Sequence, residues 1–232
     1  MNKICLIIPV YNEEENIQKL FIKIKKLKIK FDILYIEDNS TDNTRAEILK
    51  LAKKNKYIKY IFRKRKKGIG SAHKEAIKWC YKKKYQKILS MDADGTHDPK
   101  YIPALLRNSN NYDMVITSRF KNPTSMKDWP IERKFLTYAR FWLTKVILSI
   151  NFDASGAYRC FETKKILLSH LINDKSNHYD YFFENIYKLY KNNYKIYELP
   201  INLPYRKLGD SKMELVHIFI SIFTILKLRL KT

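Results

Sequence analysis

The sequence predicts an α/β fold, a mostly parallel sheet with helices on both faces, and three observations carry that prediction. Apolar strand-like runs alternate with helix-like segments through the first half of the chain. Strands separated by single helices imply right-handed crossovers, and hence parallel neighbours covered on both sides. Polar and charged residues gather where the strands end, the rim at which such sheets bind ligands.

The elements follow in order. "KICLIIPV" reads as the first strand, followed by a helix from Glu13 to Leu27 with Ile17, Leu20, Phe21 and Ile24 on one face. "FDILYIED" is the second strand, and a helix begins near Asp42. "YIKYIFR" precedes a helix from Ser71 to Tyr81; "KILSMD" precedes a short helix from Pro99 to Arg107; "YDMVITSR" is the fifth strand. After about residue 120 the pattern changes. A loop, "KNPTSMKDWP", leads to a long apolar helix from Glu132 to Ile150. Then come "NFDASGAYRCF", two further helices, an extended "KIYELPINLPYRK" and a C-terminal helix.

With 232 residues and 45% hydrophobic composition, the chain can bury a sizeable core. Its net charge of +23 attracts phosphate-bearing substrates, nucleic acid or an anionic membrane surface, and does not choose among them. Much of the excess is lysine spread along helices, with one cluster, "RKRKK", at residues 63–67. Cys5, Cys80 and Cys160 are far apart with no CxxC, which argues against a zinc site or disulfide framework and for a reducing compartment. The N-terminal run has no cleavage signature. The longest apolar segment, "LVHIFISIFTIL", makes a helix of about 18 Å, too short to cross a bilayer.

Two aspartates one residue apart close the fourth strand, in "MDADGTHDPKYIP". Side chains alternate along extended chain, so Asp92 and Asp94 point the same way and can hold a divalent cation through oxygen. Mg²⁺ and Mn²⁺ suit such ligands and complete their shells with water and phosphate oxygens. The bland alternative is a solvated acidic turn capping the helix at Pro99. A second acidic cluster, "IEDNSTDNT", ends the second strand: Asp42 suits a helix cap, and Asp38 can accept hydrogen bonds from a base or ribose. "KKGIGSA" lacks phosphate-loop spacing, so Gly68 and Gly70 are expected to let backbone approach a ligand closely.

Taken together, "IIPVYNEEENI", "IEDNSTDNT", "KGIGSA", "MDADGTHDPKYIP", "TSRF", "FDASGAYRCF" and "ELPINLPYRKLGDSKM" resemble family 2 glycosyltransferases of the Rossmann-like GT-A fold. Within that family the chain is most similar to the polyprenyl-phosphate glycosyltransferases of dolichyl-phosphate mannose synthase type. The resemblance implies that residues 1–212 form the catalytic domain, with a nucleotide-sugar half (1–120) and an acceptor half (121–212), followed by an apolar and basic helix at 213–232. It implies that Pro9, Tyr11, Glu13, Asp38 and Gly68 bind the nucleotide and that Asp92 and Asp94 hold Mg²⁺ or Mn²⁺ against the diphosphate. Arg119 would complete the catalytic set, while Arg133, Arg206 and Lys212 would gather around the acceptor phosphate. Glu37, Thr96 and Ala157 depart from the pattern, and Thr96 removes a third metal ligand found in some relatives.

The activity implied is inverting transfer of a hexosyl group, mannose from GDP-mannose, to a polyprenyl phosphate at the cytoplasmic face of a membrane, by a peripheral enzyme that could oligomerise. A UDP-sugar donor, or a saccharide hydroxyl acceptor, is the alternative; the hydroxyl would need a base, for which Asp180 or Glu184 could stand. A nucleic-acid-binding module would leave the paired aspartates unexplained, since rim carboxylates repel phosphate unless a metal intervenes. His97 is read as structural, because a metal-neutralised leaving group needs no proton.

Overall fold

Seven strands form one sheet among the described residues: β1 (Ile4–Val10), β2 (Asp32–Glu37), β3 (Ile58–Phe62), β4 (Lys87–Ser90), β5 (Met114–Ser118), β6 (Arg159–Glu162) and β7 (Ile196–Pro200). The structure is a computed structural model that describes residues 3–173, 175–205 and 215–230. The strand order is β3-β2-β1-β4-β6-β5-β7, and every neighbouring pair is parallel except those made by β6, which runs antiparallel to both β4 and β5. The helices are α1 (Glu14–Lys25), α2 (Thr44–Lys54), α3 (Ile69–Lys82), α4 (Ile102–Asn108), α5 (Ile131–Leu148), α6 (Leu168–Ile172), α7 (Asp180–Lys191) and α8 (Leu215–Leu230). This is the expected α/β arrangement, a mostly parallel sheet with helices on both faces.

Alternation along the strands feeds two cores. Cys5, Ile7, Leu34, Ile36 and Ile88 pack with Ala76 and Cys80 of α3 and Ile186 of α7. Leu6, Ile8, Ile33, Tyr35 and Leu89 face the other way, onto Ile17 and Leu20 of α1, Ile48 of α2 and Leu105 of α4. Because both faces are covered, β1 and β4 read as apolar runs rather than alternating ones.

The sequence reading gave "NFDASGAYRCF" no strand, yet "RCFE" is β6, the strand inserted between β4 and β5. Four buried residues with one arginine and one glutamate carry neither a period-2 pattern nor an apolar run long enough to signal a strand. The long helix runs Ile131–Leu148 and stops where Ser149 turns left-handed, at φ 56°. α3 begins two residues before the expected Ser71 because Gly68, at φ +90°, turns the chain into it.

The two glycines of "KGIGSA" do permit a close approach, but their nearest neighbours are protein. A Cβ at Gly68 would lie 2.5 Å from the carbonyl oxygen of Asn177, and one at Gly70 would lie 2.6 Å from Cβ of Tyr181 and 2.7 Å from the carbonyl oxygen of His178. The segment before α7 therefore seats directly on the start of α3. Gly70→Ala is expected to lower stability by about 1–3 kcal/mol, because backbone on both sides has no room to give. Urea unfolding of the variant checks this; an unchanged midpoint would mean the two segments separate readily.

No helix of the described residues is long and apolar enough to cross a membrane. α5 instead exposes Ile131, Phe135, Tyr138, Trp142 and Val146 along its outer side.

Candidate active site

The strand order reverses between β1 and β4, which opens a crevice at their carboxyl ends. A cavity of about 700 Å³ lies there, lined by Pro9, Tyr11, Glu13, Asp38, Gly68, Asp92, Asp94, Arg119 and Arg133. Residues singled out from six separate stretches of sequence thus share one space. Arg206 and Lys212 lie outside the described residues.

On one side of the cavity, the loops after β1 and β2 hold each other. Asn12 N–H donates to Ser40 Oγ (3.0 Å), Thr41 N–H to Asn12 Oδ1 (2.9 Å), and Glu13 N–H to Thr44 Oγ1 (2.8 Å). Asn12 and Asn39 adopt left-handed backbone, at φ 52° and 63°, a region asparagine tolerates. Glu37, fully buried, accepts from Ser40 N–H and pairs with Arg45, so its extra methylene relative to aspartate serves the loop. Tyr11 carries the Lys66 ammonium 3.8 Å above its ring.

Asp38 does more than the sequence revealed. One carboxylate oxygen accepts from Arg63 Nη1 (2.8 Å) and from Lys67 N–H (2.9 Å), and the other accepts from Gly68 N–H (2.9 Å). Both side chains of the Asp38/Arg63 pair are buried. Asp38 therefore ties the end of β2 to the basic loop at 63–68, while still facing the cavity.

At the end of β4 the two aspartates sit in a tight turn. Asp94 accepts from Thr96 N–H (3.0 Å) and Thr96 Oγ1 (2.7 Å), so Thr96 orients the aspartate. Among the described residues no third His, Cys, Asp or Glu joins the pair. Two carboxylates with room for water and phosphate oxygens fit the coordination habits of Mg²⁺ and Mn²⁺, which rarely use an all-protein cage. His97 Nδ1 accepts the Asp92 backbone N–H (2.9 Å), which puts the ring proton on Nε2, and the ring stacks on Tyr158. Burial, which outweighs the raising effect of the Asp94 charge and is helped by Arg119, pulls its pKa down to about 4. The imidazole is therefore neutral, and its 3.6 Å contact with the Asp92 carboxylate is not an ion pair.

His73 is also buried and neutral, with its pKa lowered to about 3 by burial and by Arg159. Both histidines charge more easily in the unfolded chain, near pH 6.5. The unfolded state thus binds more protons, and stability falls as pH drops from 6.5 toward 4, by roughly 2 kcal/mol per histidine at pH 5. Urea midpoints at pH 7 and pH 5 measure this. His73→Leu is expected to remove part of the acid-side loss, and an unchanged difference between the two pH values would contradict the assignment.

Opposite the aspartates, Arg119 follows β5 and is fixed by Asp153. Its backbone N–H (3.1 Å) and Nε (2.8 Å) both donate to Asp153 Oδ2. Asp153 is buried and receives Ser155 Oγ (3.1 Å) on its other oxygen, while its own N–H donates to Glu198 Oε1 (2.7 Å). Burial pushes the Glu198 carboxyl up. Arg159, buried at the start of β6, holds the 154–156 loop to α7 by donating to the carbonyls of Ala154, Gly156 and Phe182. Asp153, Ser155 and Arg159 all lie in "NFDASGAYRCF", a stretch visible in the sequence, but each also has partners far from it: Arg119 and Glu198 for Asp153, Arg119 for Ser155, Phe182 and Asn185 for Arg159. Arg140 and Trp129 also line the cavity and were not singled out. Arg140 falls seven residues after Arg133, two helical turns on and on the same face, which is the signal that could have found it.

A mostly parallel sheet with a carboxylate pair at its switch point and arginines across the cavity has the make-up of a site for phosphate-bearing ligands. Residues 5–167 match the model for glycosyl transferase family 2, and the chain belongs to that family. It is a glycosyltransferase. It is 28% identical over 212 residues to the undecaprenyl-phosphate mannosyltransferase of Micrococcus luteus, covering 91% of this chain and 87% of that protein. It is also 28% identical over 212 residues to the polyprenol monophosphomannose synthase of Mycolicibacterium smegmatis, covering 90% and 80% of the two chains. In fold it is similar to glucosyl-3-phosphoglycerate synthase of Mycobacterium tuberculosis, solved with Mn²⁺, UDP and glucosyl-3-phosphoglycerate. There the TM-score is 0.70 at 15% identity, over 98% of this chain and 80% of that one.

Proposed function

We propose that the protein is an inverting, divalent-metal-dependent glycosyltransferase that moves mannose from GDP-mannose to a polyprenyl phosphate. The names of the two curated relatives support the sugar and the lipid. The observation that carries the acceptor class is the character of the cavity wall. It presents Arg119, Arg133 and Arg140, whereas the candidate bases for a hydroxyl acceptor, Asp180 and Glu184, are absent from the lining. Asp180 instead accepts from His178 N–H (3.3 Å), and Glu184 from Ser176 N–H (3.3 Å).

A phosphate oxygen is ionised at neutral pH and attacks the anomeric carbon without a base. The bond from that carbon to the nucleoside diphosphate breaks as the new bond forms, and a single displacement inverts the centre. When bound by Asp92 and Asp94, Mg²⁺ or Mn²⁺ would neutralise charge on the departing diphosphate. Asp38 with Pro9, Tyr11, Glu13 and Gly68 would hold the nucleotide in residues 1–120. Arg119 would offer fixed donors to the transition state. Residues 121–212 would hold the acceptor through Arg133, Arg206 and Lys212. The exposed apolar side of α5 supports peripheral placement on the cytoplasmic membrane face.

The test is a donor panel of GDP-mannose, GDP-glucose and UDP-glucose against polyprenyl phosphate, with Mn²⁺ or EDTA, and the product's anomeric configuration read by NMR. Mannosyl transfer with inversion, lost in EDTA, is expected. Use of UDP-glucose alone, transfer only to saccharides, or retention would overturn the proposal.

A further inference from the structure

Arg140 is the most unusual charge in the cavity. It sits on α5 one face-repeat inward from Arg133, partly buried, with its guanidinium 5.4 Å from the Phe183 ring. Its Nη2 donates to Ser155 Oγ at 3.3 Å. Among the described residues no carboxylate lies within ion-pair distance of it. Arg119 differs in this respect, since Asp153 neutralises it at 2.8 Å.

The two arginines share one hydroxyl. Arg119 Nη2 donates to the same Ser155 Oγ at 3.1 Å. Ser155 spends its own proton on Asp153 Oδ1, which turns its lone pairs toward both guanidiniums. Two cationic nitrogens are thus held within two hydrogen-bond lengths of each other, a gap that one phosphate group spans. Burial, and then repulsion from Arg119, pulls the Arg140 pKa down to about 10. Asp153 acts on Arg140 only at a distance and is itself paired with Arg119, so a guanidinium in such a place has room for an anion from outside.

We infer that Arg140, pinned by Ser155 beside Arg119, is a binding residue for the phosphate monoester of the acceptor. The inference rests on the proposed lipid-phosphate acceptor and adds a residue to its site. Location separates this anion from the donor's diphosphate. Arg119 interacts electrostatically with both Arg140 and His97, and His97 with Asp94. The diphosphate belongs with Asp92 and Asp94, and Arg140 faces the acceptor side with Arg133. Planar guanidinium matters here, because its spare N–H groups form a fork suited to phosphate oxygens.

The test compares wild type with Arg140→Gln and Arg140→Lys. Thermal unfolding is followed with and without a short water-soluble prenyl monophosphate, and steady-state transfer is measured against varied acceptor and varied donor. Without ligand, Arg140→Gln is expected to melt at or above the wild-type temperature, since it removes a partly buried charge that has no carboxylate at ion-pair distance among the described residues. The prenyl phosphate is expected to raise the wild-type Tm and to raise that of Arg140→Gln much less. The acceptor KM is expected to rise tenfold or more in Arg140→Gln, with donor KM within about twofold of wild type, and Arg140→Lys to recover part of the loss. A lower Tm in Arg140→Gln without ligand would make Arg140 a structural residue and overturn the inference. Equal stabilisation of wild type and variant by prenyl phosphate, no stabilisation of wild type, or an equal rise in both KM values would also overturn it. If wild type fails to transfer to lipid phosphate, the functional reading falls, and the thermal comparison still decides whether Arg140 binds the phosphate.

Discussion

Asp94→Ala is expected to cut glycosyl transfer by at least about a thousandfold while shifting the melting temperature by no more than about 2 °C. The two halves of that expectation have separate causes. The Asp94 carboxylate accepts hydrogen bonds from Thr96 within its own turn, which water can replace at a partly exposed site. The strand behind it is fixed by β1, through Met91 N–H on the Ile7 carbonyl (3.2 Å), and by His97 on the Asp92 N–H. Those backbone contacts do not involve the Asp94 carboxylate. In the proposed mechanism charge neutralisation at the leaving diphosphate does involve it, because Asp92 alone would be left to hold the metal. Single-turnover transfer across a Mn²⁺ titration, with EDTA as the blank, measures the loss. Activity that survives in the variant, or in EDTA with wild type, removes the metal assignment from this pair.

Asp38→Ala is expected to lower stability by about 3 kcal/mol, a fall of roughly 6–12 °C in Tm, and to weaken nucleotide binding at the same time. The substitution leaves the Arg63 guanidinium buried with only the more exposed Glu75 (3.1 Å) as a charge partner. It also strips the acceptor from Lys67 N–H and Gly68 N–H, so the basic loop loses its anchor. Adding Arg63→Met is expected to restore part of the stability, since removing both partners of a buried pair costs less than removing one. Nucleotide affinity is not restored in the double variant. A full-strength Tm in Asp38→Ala would show that the loop holds itself. A loss of turnover with affinity unchanged would give Asp38 a role in the chemical step.

These two aspartates mark the limits of what the sequence disclosed. Asp92 and Asp94 were legible as a pair because the motif is local, but the alternation expected of them does not apply, since β4 ends at Ser90 and both lie in the turn beyond it. Asp38 was legible as a ligand-facing residue, but its partner Arg63 lies 25 residues away and is brought to it by the parallel pairing of β2 with β3. The same holds for Asp153, whose partners Arg119 and Glu198 come from β5 and β7. Five strands and their helices were readable from apolar periodicity. β6 was not, since a four-residue strand containing Arg159 and Glu162 shows no pattern until its neighbours are known. Glycine spacing identified a close approach at Gly68 and Gly70 without naming what approaches; the answer, residues 177–181, lies more than 100 positions away along the chain.

The insertion of β6 between β4 and β5 also sets an order of assembly. As the chain emerges from synthesis, β1 to β4 can pair with strands already made. β5 cannot join them, because its place beside β4 is taken by a strand that begins only at Arg159, and its other neighbour, β7, begins later still at Ile196. α5 and the loops around it must therefore wait, tethered and without a sheet to dock on, until β6 has been made. Such late, non-local closure is slow and leaves apolar surface exposed in the interval. A nascent chain halted before β6 holds the β1–β4 side of the cavity with no wall opposite it, so the arginine wall of the cavity is among the last parts of this enzyme to form.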